Sequence, residues 1–129
     1  MSNDADVQAD AATIPLGMIA HARSGDKGNH ANIGVIAYTK EGYDYLNEIL
    51  GTDRVDAFFD PLGPSSVVRY ELPGIGALNF LLHDVLRGGA SQSLRTDNQG
   101  KVLGLAILEM PIPCPNDLNK MTRDRRRNE

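Results

Sequence analysis

The chain has no tryptophan, a single cysteine and only 5% aromatic residues among 129. Each shortage excludes something. With so few rings, aliphatic side chains must build the core. One thiol, Cys114, cannot close an internal disulfide, and a reducing, cytoplasmic location is expected. No apolar run approaches the ~20 residues that a membrane-spanning helix requires, so no membrane partner is expected. The N-terminus lacks the basic start and apolar stretch of a secretory leader. The three histidines, His21, His30 and His83, are dispersed, so neither a metal site nor a cofactor is expected.

What is present is an ordinary globular mixture, 41% apolar and 23% charged, with a net charge of -4. The length suits one domain. The charge is unevenly placed. Asp4, Asp6 and Asp10 make the start acidic, while Lys120, Arg123, Arg125, Arg126 and Arg127 make the end basic. Residues 1–13 read as a disordered acidic tail, 14–115 as the folded domain and 116–129 as a flexible basic tail. The body between the tails is acidic, which argues against nucleic acid as a partner.

Periodicity assigns the elements. Residues 14–23 read as a strand with Leu16, Met18, Ala20 and Ala22 on its core face. Residues 24–31 read as a polar turn, and 32–38 as a returning strand through Ile33, Val35 and Ile36. Thr39 is placed to cap a helix running to Leu50, with Tyr43, Leu46, Ile49 and Leu50 on one side and Gly51 as its stop. A second short helix follows from Thr52 through Val55, Phe58 and Phe59. Residues 66–72 form a strand with Val67, Arg69 and Glu71 on one face and Val68, Tyr70 and Leu72 on the other. Residues 75–87 read as the clearest helix, from the stripe Ile75, Leu78, Leu81, Leu82, Val85 and Leu86. A short strand at 90–95, a helix within 101–109 and an edge strand near 110–113 complete the pattern. Prolines 111, 113 and 115 keep that last strand out of a sheet centre. This is an α+β sandwich of two layers, a small and mainly antiparallel sheet with helices on one face.

One segment is dense in chemistry. Arg23, Ser24, Gly25, Asp26, Lys27, Gly28, Asn29, His30 and Asn32 fall in ten consecutive positions. Glycines let backbone approach a ligand, and successive amides in a turn can form an anion-binding nest. Arg23 offers a planar fork for a carboxylate or phosphate, and Lys27 a point charge. Asp26 and His30 are the candidate acid–base residues; Arg23, Ser24, Gly25, Lys27, Gly28, Asn29 and Asn32 are the candidate substrate-binding ones. The spacing fits neither a P-loop nor a dinucleotide fingerprint. Arg69 with Glu71 reads as a surface ion pair, and residues 88–95 as a second glycine- and serine-rich turn.

The blocks Ala22-Arg23-Ser24-Gly25-Asp26-Lys27-Gly28-Asn29, Arg69-Tyr70-Glu71-Leu72-Pro73, Ala77-Leu78-Asn79-Phe80 and Ser93-Leu94-Arg95, with Asp97 and Gln99-Gly100-Lys101 after them, resemble the small C-terminal domain of AtuA-like proteins of acyclic terpene utilisation. The resemblance covers residues 14–113. It implies a ferredoxin-like fold. It also implies a small component separated from the large α/β domain that it commonly follows, and a role in catabolism of branched or terpenoid carboxylic acids as CoA thioesters. Three functions then compete. The first is a small subunit of a two-component enzyme whose polar loop completes an anion site beside a large AtuA-like partner. The second is a non-catalytic homo-oligomeric assembly module, and a homo-oligomer is expected in any case alongside the large partner. The third is a stand-alone lyase or hydratase. The first predicts that Arg23, Asp26, Lys27 and Asn29 converge in a cleft beside an exposed apolar patch.

Overall fold

The computed structural model describes residues 12–85 and 99–123. A four-stranded antiparallel sheet is its centre: β2 (Ala20–Lys27), β3 (His30–Ala37), β4 (Ser66–Leu72) and β5 (Ala77–His83), in the spatial order β2-β3-β5-β4. Three helices, α1 (Lys40–Ile49), α2 (Thr52–Phe58) and α3 (Gln99–Ile107), are described with it. A separate two-stranded ribbon pairs β1 (Thr13–Pro15) with β6 (Pro111–Pro113). The two-layer α+β sandwich is therefore what the chain forms.

Directly opposed residues share a face of the sheet, so the registers sort the side chains. Ile33 lies opposite both Ser24 and Phe80, and Val35 opposite both Ala22 and Leu78. Ala31, Ile33, Val35, Leu78, Phe80 and Leu82 are all buried. This face is covered, with α3 across β2 and β3, α1 on β3 and α2 beside β4. Leu16, Ile19, Leu46, Leu50, Ile107 and Ile112 complete an almost wholly aliphatic core, each full burial contributing ~1.5–3 kcal/mol. The opposite face, carrying Arg23, Asn32, Gly34, Ile36, Asn79 and Tyr70, has no helix over it among the described residues.

Local chemistry explains the helices. Thr39 caps α1: its Oγ1 accepts the Gly42 amide hydrogen at 3.0 Å. The other end is held by Arg69. Its guanidinium donates to the carbonyls of Asn47 and Leu50, both at 3.1 Å, as well as to Asn47 Oδ1. Arg69 also pairs with Glu71 at 2.8 Å, so the expected surface ion pair is one arm of a helix C-cap. In α2, Gly51 is the cap and Thr52 the first helical residue.

Four expectations differ from the structure. Residues 14–23 are not one strand. A 3-10 turn, Leu16–Met18, divides them, because the Leu16 and Gly17 amides bond to Met110 and Leu108 carbonyls instead of to the main sheet. Met18 is consequently 43% exposed. The helix expected from 75 is instead β5, a central strand. A strand flanked on both sides and partly covered on both faces reads as a continuous apolar run, which mimics a helical stripe. The turn expected at 24–31 shrinks to Gly28-Asn29, with Gly28 at φ +65, and the rest of it is β ladder. Finally, residues 116–123 pack onto the domain through a 3-10 turn, Leu118–Lys120, that buries Met121 in the core. The strand expected at 90–95, the second glycine-rich turn and Arg125–Arg127 lie outside the described residues.

Candidate functional site

The β2–β3 ladder decides where the loop residues go. Because alternate residues of a strand face opposite ways, Arg23 and Gly25 point to the open face while Ser24 and Asp26 point to the helix-covered one. His30 lies opposite Lys27 on the open side, and Asp26 opposite Ala31 on the covered side. Asp26 and His30, the two acid–base candidates, therefore stand on different faces. Arg23 and Asp26 do not converge either. Gly28 and Asn29 form the exposed hairpin tip. The ladder runs up to Lys27 and His30, so the turn itself is only these two residues.

Ser24 has a structural partner. Its Oγ accepts the Gly104 amide hydrogen at 2.7 Å, seating α3 on the sheet. A Cβ at Gly104 would lie 2.6 Å from that oxygen, so helix and strand touch closely here. His30 sits at a sheet corner. Its Nδ1 accepts the Asp84 amide hydrogen at 3.0 Å, which leaves the imidazole proton on Nε2 in the neutral ring. The His83 ring is 4.7 Å away. Asp84 holds a positive φ of 65, unusual for a residue with a side chain, and accepts from Ser65 Oγ at 2.6 Å.

Four of the candidate residues, Arg23, Ser24, Gly25 and Asn32, meet on the open side, although the Ser24 side chain points to the covered face. They border a cleft of about 300 Å³ on the open face, whose other walls are Gly34, Ile36, Leu72, Ile75, Ala77 and Asn79. Gly25 and Gly34 lack side chains where the sheet would otherwise present two, so backbone forms the floor. Asn32 and Asn79 supply carboxamides. Leu72, Ile75 and Ile36 supply an apolar wall; Ile75 is 66% exposed and Leu72 42%. Arg23 is exposed, and its guanidinium makes no hydrogen bond or ion pair among the described residues. The cleft thus offers one cation without a partner among the described residues, two amides and an aliphatic surface. That combination suits a ligand with an anionic head and an apolar body. A larger and more polar cleft, about 550 Å³, adjoins it across Ile75, between the start of α1 and the 73–76 turn.

Gly34 and Asn79 also border the cleft but are not among the residues expected for a site. Gly34 carried a signal, since a glycine inside a strand marks a bulge or a close approach. Asn79 was hidden by the helical assignment of its segment. Among the described residues no group of His, Cys, Asp or Glu is arranged to hold a metal ion, and no helix is long and apolar enough to cross a membrane. A family model, the AtuA ferredoxin-like domain, matches residues 14–113. No curated protein and no solved structure matches the chain.

Proposed function

The chain belongs to the AtuA ferredoxin-like domain family, and from that membership we propose that it works as the small partner of a large AtuA-like subunit, its open-face cleft completing an anion-binding site between them. The substrates are branched or terpenoid carboxylic acids, carried as CoA thioesters. Arg23 grips the carboxylate or phosphate, Asn32 and Asn79 orient it, and the aliphatic body lies along Leu72 and Ile75.

The observation that carries this reading is the Arg23 guanidinium, without a partner among the described residues, beside a glycine-floored cleft with an exposed apolar wall. An exposed arginine alone is unremarkable. Beside two carboxamides and above backbone cleared of side chains, it has the geometry of a ligand contact. The reading assigns the small chain to binding and positioning, and the bond-breaking groups to the large subunit.

Co-expression of the tagged chain with a large AtuA-like chain lacking its own ferredoxin-like domain tests the proposal. A stable complex is expected, active on a branched acyl-CoA that neither chain turns over alone. Arg23→Ala should leave the complex assembled and raise KM about tenfold or more, the loss of a charge-assisted contact. Full activity of the large chain by itself would refute the partner role. An unchanged KM in the variant would refute the anion site.

A further inference from the structure

We propose that the open sheet face docks a heterologous protein surface that is apolar at its centre and carries carboxylates at its margin, and that this face does not pair with a second copy of the chain. The inference rests on the partner reading above. It adds where the large subunit sits and what its surface must present.

The face is sorted by chemistry. Tyr70, Leu72 and Ile75 cluster at one side of it, 50%, 42% and 66% exposed. Single exposed apolar residues are ordinary; a contiguous group beside a cleft marks an interface. Charge is sorted as well. The protein is acidic overall, at -4, yet no strand position on this face carries a carboxylate among the described residues. The registers turn Asp26 and Glu71 to the covered face, where Glu71 is held by Arg69. Asp84 lies at the corner, engaged by Ser65.

Cationic groups gather at the other end. Arg123 lies over the Tyr38 ring, 5.8 Å from its centre, and Tyr38 stacks on His21 at 5.6 Å. His21 shares the face with Arg23. In a two-fold contact the same patch meets itself. Arg23 and the Arg123–Tyr38–His21 stack would then meet other positions of the same face, and none of its described strand positions carries a carboxylate; Asp44, beside Tyr38 at the second cleft, is held by Lys40 at 3.3 Å. Arginines buried against such a surface lose their hydration with no carboxylate to replace it, which steers the face away from itself. A different protein can supply the missing carboxylates to the Arg123 stack, leaving Arg23 for the ligand beneath. A homo-oligomer of this chain would have to use another surface.

The test uses the full chain co-expressed with a large AtuA-like chain, and compares three variants of exposed residues. Ile75→Asp places a charge in the apolar cluster, Arg123→Glu reverses the cationic end, and Leu105→Asp changes the outer surface of α3, 70% exposed on the far side. Circular dichroism confirms folding of each. The proposal expects Ile75→Asp to weaken the complex tenfold or more, as for a residue central to an interface. It expects Arg123→Glu to weaken it severalfold with a loss of salt dependence, and Leu105→Asp to leave it unchanged. Sedimentation of the chain alone at tens of micromolar should show no self-association that Ile75→Asp abolishes. Loss of the complex in Leu105→Asp with retention in Ile75→Asp overturns the face assignment while the partner reading stands. A wild-type dimer that Ile75→Asp dissociates overturns the heterologous assignment. An unaltered complex in Arg123→Glu overturns the carboxylate requirement. Failure of the wild-type chain to bind any large subunit overturns the partner reading and this inference with it.

Discussion

Gly34→Ala separates the cleft's function from the fold. The new methyl would lie 3.6 Å from Asn79 Oδ1, 3.9 Å from the Arg23 carbonyl oxygen and 4.0 Å from Ile36 Cδ1, all ordinary contacts. Gly34 has no positive φ to strain. Alanine also restricts the unfolded chain more than glycine does, which stabilises the fold by ~0.4–1 kcal/mol. For a domain of this size that is about 1–4 °C in Tm. The same methyl stands on the cleft floor, where the ligand must lie. An extra methyl in a fitted contact costs ~1–3 kcal/mol, so affinity should fall by about five- to a hundredfold. Thermal melts and titration with 3-methylbutanoyl-CoA, on the chain with its large partner, read both quantities. A more stable variant that binds the thioester as well as the parent would refute the cleft as the binding site. A loss of more than ~1 kcal/mol in stability would refute the floor geometry.

Other substitutions probe the frame. Gly104→Ala would put a methyl 2.6 Å from Ser24 Oγ, 3.2 Å from its Cβ and 3.3 Å from its backbone nitrogen. Rotating the hydroxyl relieves only the first contact and sacrifices its hydrogen bond from Gly104. Overpacking at ~1–3 kcal/mol outweighs the ~1 kcal/mol helix-propensity gain, so urea unfolding should show a net loss, and a gain would contradict the α3 docking. Arg69→Ala should cost ~2–3 kcal/mol by uncapping α1, and Arg69→Lys most of that, since an ammonium cannot span the same acceptors; Glu71→Ala should cost less than ~1 kcal/mol. Tyr45 donates its hydroxyl to the Pro113 carbonyl. Its pKa is raised, first by desolvation and then by the nearby Cys114 and Glu48, with Arg54 opposing. A folded-state pKa above the unfolded one contributes stability that is complete below the ordinary tyrosine range and is lost as pH rises through the raised value. Alkaline unfolding of the parent should thus be steeper than that of Tyr45→Phe, and identical pH profiles would contradict the assignment.

Some of this architecture is legible in the residues and some is not, for definite reasons. Thr39 with Tyr43, Leu46 and Leu50 announces α1, because a cap and a 3.6-residue stripe are local signals. The prolines near 111–113 announce a short peripheral strand for the same reason. The segment from Ile75 misleads. Leu78 and Leu82 satisfy helical and strand periods alike, and only the burial of Phe80 opposite Ile33 selects the strand. That selection is tertiary and invisible locally. The polar segment at 23–32 misleads differently. Its glycines and Asp26 favour a turn in isolation, yet pairing with 30–37 draws them into a ladder that sends Arg23 and Asp26 apart. Arg23, Gly25 and Asn32 are conspicuous in the sequence for their chemistry, but that they share a sheet face follows only from the register of β2 on β3. Gly34 and Asn79 complete that group through cross-strand neighbours, which no linear pattern displays.

The central claim is that the open face of the sheet, and not the hairpin tip, is where an anionic ligand is held. Amide shift mapping by NMR during addition of 3-methylbutanoyl-CoA, with the large subunit bound, tests it most directly. The account predicts shifts concentrated at Gly25, Asn32, Gly34 and Asn79 and at the Arg23 side chain, abolished in Arg23→Ala. Shifts confined to Gly28 and Asn29, or on the α-helical side around Ser24, would contradict it.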